Sequence, residues 1–281
     1  MSRAWTARGV TALRTLGRSV KDVAKRRIFS RPRRALGFVA VPRRVLDRYP
    51  AAAFLQRLFA LLEIDCVLDV GANLGQYRDF LRNEVGYTGQ IISFEPIPSH
   101  VKVLNERVEH DAKWSVCGFA LGRAPGRATF NIMKETQFSS FREPDHSNTP
   151  MFNRLNVVEQ RVYVEVKTLD QVLPEIEART GSFRGIYLKM DTQGFDLEVI
   201  GGAVDALQRV KALQTEVSVK AIYADTPGYE QTIRELRSRK FELSGIFPNN
   251  PSHFPQLIEF DCYMIHSEAL ERSRNRIFGQ K

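Results

Sequence analysis

Asp69-Val70-Gly71-Ala72-Asn73-Leu74-Gly75 closes the apolar run Cys66–Val70 and opens a helical pattern over residues 74–85. Strand, glycine turn and helix in that order make the first half of a βαβ unit. Working outward, Gln90–Phe94 reads as a second strand, residues 99–109 as a helix and 114–120 as a third strand. Further on, 169–178 is helical, Ile186–Met190 a strand, 195–207 a helix and 212–217 a strand. Upstream, residues 51–62 have helical spacing. Such regular alternation predicts an α/β fold with a mostly parallel sheet covered by helices.

The end of the chain departs from that regularity. A helix over 229–240 precedes two strands, 242–247 and 257–265, joined across Pro248-Asn249-Asn250-Pro251. So tight a connection predicts an antiparallel hairpin, because a parallel return needs a crossover of a dozen residues. The alternation also pauses in the middle. Residues 126–132 and 161–167 look like strands, and between them 133–160 is polar, a length that suits a functional lid or disorder. The expected division is a leader at 1–50, one domain at 51–267 and a tail at 268–281.

Composition excludes several classes. Hydrophobic residues at 43% and charged residues at 26% describe a globular chain, neither collagen-like nor wholly disordered. No apolar run reaches the roughly 18 residues of a membrane span. Cys66, Cys117 and Cys262 each lie in an apolar strand-like run and read as reduced buried thiols. The net charge of +9 is concentrated: residues 1–48 hold 14 Lys and Arg against Asp22 and Asp47, which leaves the remainder at −3. A body without basic excess has little to neutralise phosphates with, which argues against a nucleic-acid partner. In the leader, Trp5, Val10, Leu13, Leu16, Val20, Val23 and Ile28 share one face of a helical wheel, opposite most of the cations. That pattern predicts a basic amphipathic helix on an anionic lipid surface; a transit peptide or a disordered tail are the other readings.

The glycine turn carries chemistry. Gly71 permits a sharp turn and Gly75 a close approach at the helix start. A dinucleotide fingerprint needs tighter glycine spacing; here Asp69 and Asn73 stand instead, and an acid suits a cationic ligand better than a pyrophosphate. Glu95, at the end of the second strand, is where an acid meets the ribose hydroxyls of an adenosine. Ala120 and Leu121, at the end of the third, offer small apolar groups for the base. Gly-x-Ser-x-Gly, a phosphate loop and zinc-spaced Cys/His are all lacking.

These motifs together resemble FkbM-type methyltransferases: Asp69–Gly75, Phe94-Glu95-Pro96 with Pro98, Ala120-Leu121-Gly122, then Lys189-x-Asp191 with Gly194 and Asp196. The resemblance runs from about residue 67 to 266. It implies a Rossmann-like fold with a class I methyltransferase sheet, which the hairpin ending also favours, and S-adenosylmethionine as methyl donor. It further implies O-methylation of a hydroxyl on a sugar or secondary metabolite; the basic leader, by holding the protein at a membrane, extends the expected acceptor to a glycolipid. The last motif carries Asp196 where the family often has glutamate. The expected cofactor residues are Asp69, Gly71, Ala72, Asn73, Gly75, Glu95, Pro96, Ala120, Leu121 and Asp191.

An alcohol acceptor must also lose its proton. Asp191, ending its strand beside the expected cleft, is the foremost candidate base. Lys189, two residues earlier on the same face, is placed to orient the acceptor or Asp191. Glu216 ends the next strand and pairs with Asp191 as a catalytic carboxylate couple or as ligands of a divalent metal. His146 and His253 on loops are alternative bases, and Ser139-Ser140 are candidate contacts in the lid. The expectation is therefore an O-methyltransferase at the cytoplasmic face of a membrane, with oligomeric state open. RNA methylation and a non-catalytic membrane-surface binding protein are the alternatives.

Overall fold

The computed structural model describes residues 41–147, 149–249 and 255–278. The leader helix, His253 and part of the Pro248–Pro251 connection lie outside these residues. Strands β1 (Cys66–Val70), β2 (Gln90–Phe94), β7 (Ile186–Met190) and β8 (Val210–Ser218) are parallel and buried on both faces. That is why they read as continuous apolar runs rather than alternating ones. With β3 (Trp114–Cys117), β9 (Phe241–Pro248) and β10 (Glu259–His266) they form one seven-stranded sheet, in the order β3-β2-β1-β7-β8-β10-β9. β10 runs antiparallel to both neighbours. The expected hairpin is present, with its second strand inserted inward of its first. This is the class I methyltransferase sheet.

Helix α1 (Tyr49–Leu62) buries Ala52, Leu55, Leu58, Phe59 and Leu62, a spacing of three and four that faces them all to the sheet. It stops where Glu63 turns left-handed at φ 53°. α2 (Gln76–Phe80) continues as a wider π turn over Leu81–Val85. α3 (Pro98–Val108), α4 (Leu169–Thr180) and α6 (Tyr229–Ser238) are regular. The helix expected over 195–207 is shorter: α5 spans Asp196–Gly201, and a 3-10 turn follows at Ala206–Gln208. Two apolar clusters fill the two sides of the sheet, one under α4 and α5 and one under α1 and α2.

Three features differ from the sequence reading. The third strand breaks at Gly118-Phe119, and its end, β4 (Ala120–Leu121), joins β6 (Val158–Lys167) and β5 (Gly126–Met133) in a separate three-stranded sheet. Residues 133–157 are not featureless. They carry 3-10 turns at Thr136–Phe138 and Pro150–Phe152, and they pack through Met133 and Phe152 onto Ile222, Tyr223 and Ile258. The stretch set aside as a tail from 268 forms α7 (Ser267–Phe278), whose Ala269 and Leu270 lie against the core. No helix among the described residues is long and apolar enough to cross a membrane.

Candidate active site

A single register row crosses the sheet under the α1–α2 side. Ser93, Asp69, Lys189, Gln214 and Tyr263 are successive partners on β2, β1, β7, β8 and β10. Because side chains alternate along a strand, all five point to one face. The Trp114 indole donates to Ser93 Oγ at 3.0 Å, and the Ser93 hydroxyl donates to Asp69 Oδ2 at 3.0 Å. Lys189 Nζ lies 3.1 Å from Asp69 Oδ1 and 3.6 Å from Asp191 Oδ2, donates to the Gly71 carbonyl at 3.2 Å and sits over the Tyr77 ring. Burial opposes the charge on Lys189, but Asp69 and Asp191 outweigh it and hold the ammonium above the usual lysine range. Tyr77 and Tyr187 both donate to Gln214 Oε1.

Just beyond this row, at the carboxyl ends of β1, β2 and β7, opens a cleft of about 340 Å³. Ligands of open α/β sheets bind there. The glycine loop forms one wall. Gly71 has φ +78°, and a Cβ on it would stand 2.0 Å from the Asp191 carbonyl oxygen, so only glycine lets the ends of β1 and β7 meet this closely. The amides of Gly71 and Ala72 both donate to the Phe94 carbonyl at 3.1 Å. Glu95 is buried at the rim; its Oε2 accepts from the Asn73 amide at 2.7 Å and its Oε1 from the Ile97 amide at 2.9 Å. Each carboxylate oxygen has a second lone pair beyond these bonds. Asn73 Oδ1 is buried without a partner, an acceptor left for a ligand donor. The apolar floor comes from Leu121, Phe130, Phe141 and Phe195, with ring centroids 4.9 Å (Phe130–Phe141) and 4.5 Å (Phe141–Phe195) apart.

Most of the expected site converges. Gly71, Ala72, Asn73, Glu95, Pro96, Ala120, Leu121, Lys189, Asp191 and Glu216 all line the cleft. Asp69 and Gly75 do not. Asp69 is fully buried beneath the loop, neutralised by Lys189, and so supports the wall instead of facing a ligand. Gly75 starts α2 against Leu104 and Arg107. Ser139 reaches the cleft, whereas Ser140 donates to the Gln193 carbonyl and His146 lies away from the lining. Asp196 is structural: it accepts from the Thr192 amide and hydroxyl and from Thr215, which ties the β7–α5 turn to β8.

Asp191 and Glu216 are brought together, but through an amide. Gln193 Nε2 donates to Asp191 Oδ1 at 2.9 Å and to Glu216 Oε2 at 2.7 Å, and Asn249 Nδ2 donates to Glu216 Oε1 at 2.6 Å. In this orientation a cation between the two carboxylates would meet the Gln193 donor nitrogen. Among the described residues no three acidic, histidine or cysteine side chains gather as ligands. Burial, together with Glu259, Asp191 and Asp261, pushes Glu216 well above the usual carboxyl range. Burial chiefly raises Asp261 to about 6 and Glu259 to about 7, with Asp191 adding to both.

The sequence reading missed Gln193, Tyr223, Asn249 and Asp261. Asp261 carried a signal: an acid alternating with Glu259 and Tyr263 in an otherwise apolar strand.

Residues 69–243, well over half of the chain, match the model of the Methyltransferase FkbM domain. Curated proteins include no significant match. Two solved structures illustrate the likeness. Magnesium protoporphyrin IX methyltransferase (ChlM) from Synechocystis PCC 6803, with bound SAM, is 9% identical with a TM-score of 0.42, covering 95% of this chain and 100% of its own. Fibrillarin from Aeropyrum pernix, with natively bound S-adenosyl-L-methionine, is 14% identical with a TM-score of 0.40, covering 77% and 74%.

Proposed function

The chain belongs to the FkbM methyltransferase family, and we propose that it transfers the methyl group of S-adenosylmethionine to a hydroxyl of a sugar, glycolipid or related metabolite. The observation that carries this reading is the shared cleft: Glu95, the Gly71–Asn73 wall and Asp191, from the ends of three adjacent strands, face one cavity. Glu95 and Asn73 Oδ1 present acceptors to the hydroxyl and amino donors of the cofactor, and the floor of phenylalanines suits its base. Bound S-adenosylmethionine supplies an electrophilic methyl group on a sulfonium.

Asp191 then serves as general base. Its carboxylate is 42% exposed, held on one oxygen by Gln193 and approached on the other by Lys189. Asp191 is the group that would take the acceptor hydroxyl's proton as the methyl group leaves the sulfonium sulfur for that oxygen, with the thioether S-adenosylhomocysteine as leaving group. In-line displacement depends mainly on placement, and three strand ends locked by Lys189 and Gln193 provide it. The acceptor end of the cleft holds amides and carboxylates (Gln137, Gln214, Asn249, Asp261), which match a polyhydroxylated partner. Arg48 and Ala51 also line the cleft, so the basic leader joins the fold at its mouth. On this reading the leader holds the enzyme peripherally on the cytoplasmic face of an anionic membrane and presents a glycolipid acceptor there.

The test is transfer of labelled methyl from S-adenosylmethionine to soluble glycosides, a glycolipid extract and RNA in parallel, with and without residues 1–48. The expected result is alkali-stable label in the glycan or glycolipid, with lipid labelling reduced by the deletion. Label in RNA alone, with steep salt dependence, would replace this reading with the RNA one.

A further inference from the structure

We propose that Gln193 is the positioning residue of this site: its amide fixes the Asp191 and Glu216 carboxylates and couples them to the segment 133–157. The inference rests on the cofactor and base assignments above and adds a residue that acts through both.

Gln193 has φ 54°, in the left-handed region that a non-glycine residue rarely occupies. Such strain persists where the surroundings impose it, and here both ends of the residue are held. The Ser140 hydroxyl donates to its carbonyl at 2.8 Å, and Arg142 Nε donates to the next carbonyl, Gly194, at 2.6 Å. The side-chain nitrogen has two N–H donors, and two carboxylates stand within 2.9 Å of it. The side-chain oxygen lies 2.7 Å from the Tyr223 hydroxyl, which also lies 2.7 Å from the Phe138 carbonyl.

A tyrosine hydroxyl has one proton. While Gln193 donates to both carboxylates, its oxygen requires that proton, and Phe138 must do without it. If Phe138 takes it, the amide turns its nitrogen toward Tyr223 and its oxygen toward Asp191 and Glu216. The orientation that serves the carboxylates therefore depends on where the 3-10 turn Thr136–Phe138 sits. That turn supplies Thr136 and Gln137 to the cleft, and Ser139 follows it. The segment is otherwise anchored on the same loop as Tyr223, through Asn156 to the Ile222 carbonyl at 3.1 Å and a bridge between Pro144 and Tyr223. The wall that meets the acceptor and the acid that takes its proton thus move as one unit.

The experiment is hydrogen exchange of the full chain with and without S-adenosylhomocysteine, in wild type, Gln193→Gly, Gln193→Glu and Tyr223→Phe. Glycine relieves the left-handed backbone, and glutamate keeps the length but removes both donors. In wild type the ligand should protect residues 70–76 and also 136–142, slowing exchange about tenfold or more at both. In Gln193→Gly and Gln193→Glu the first protection should remain and the second disappear, with Tyr223→Phe in between. A merely structural role would not separate the two segments. Retention of both protections in Gln193→Gly, or protection of 70–76 alone in wild type, would overturn the coupling. No ligand-dependent protection at 70–76 in wild type would overturn the cofactor assignment itself and this inference with it.

Discussion

Glu216 and Asp261 stand directly opposite each other in the antiparallel β8–β10 ladder. Cβ atoms of such pairs lie roughly 5 Å apart, and like charges in that position repel. Burial, and after it the charges of Glu259, Asp191 and Asp261, raises Glu216, while burial chiefly, with the charge of Asp191, raises Asp261 to about 6 from 3.8 and its neighbour Glu259 to about 7 from 4.5. The folded protein holds protons that the unfolded chain gives up. Stability from this cluster is therefore complete below about pH 4 and lost as pH rises through 6 and 7. Asp261→Asn should match wild type near pH 4 and melt at a higher temperature at pH 8. A melting-temperature difference that stays constant from pH 4 to 8 would rule this out.

Lys189 is the counter-charge for a carboxylate with no exposure at all. Removing one partner of a buried pair leaves an uncompensated charge, at about 3–5 kcal/mol. Lys189→Met should be destabilised by that order, and adding Asp69→Asn should recover much of the loss. Denaturant titration of the two singles and the double measures the coupling; additive losses would show that the pair does not interact.

Gly71→Ala places a methyl 2.0 Å from the Asp191 carbonyl at a backbone angle that favours glycine. Both effects oppose folding of the loop, by at least about 1–3 kcal/mol. The variant should melt earlier and lose affinity for S-adenosylhomocysteine, while Gly126→Ala, with open space around it, should do neither. Equal affinity in Gly71→Ala and wild type would remove the loop from the cofactor site.

Glu95→Gln tests the rim. Both Glu95 oxygens accept backbone amides, and a glutamine must turn a donor toward one of them. An unsatisfied buried donor costs about 1–3 kcal/mol, so cofactor affinity should fall about tenfold or more. Calorimetry on the variant reads this directly, and an unchanged affinity would place the ribose elsewhere.

Much of this was legible in the sequence, for identifiable reasons. β1, β2, β7 and β8 are buried on both faces and announce themselves as apolar runs, and the turn at Gly71 needs residues that few other turns need. The small sheet was less visible because β4 has two residues and outward positions of β6 such as Arg161 and Tyr163 are exposed, so no apolar run marks it. The break at Gly118-Phe119 depends on pairing with β6, which is remote in the chain. Asp69 was read as facing the ligand because its place at a strand end is visible, whereas the lysine that neutralises it comes from a strand more than a hundred residues away. Gln193 lay inside a quoted motif, yet its meaning depends on Glu216, Tyr223 and Ser140, which only the folded chain assembles.

The most direct measurement is a calorimetric titration of the full chain with S-adenosylmethionine, with NAD as comparison and Glu95→Gln as control. One site of micromolar affinity for S-adenosylmethionine, weakened in Glu95→Gln, with no heat from NAD, is the expected outcome. Absence of S-adenosylmethionine binding, or equal binding by Glu95→Gln, would mean that the cleft at the ends of β1, β2 and β7 is not a methyl-donor site.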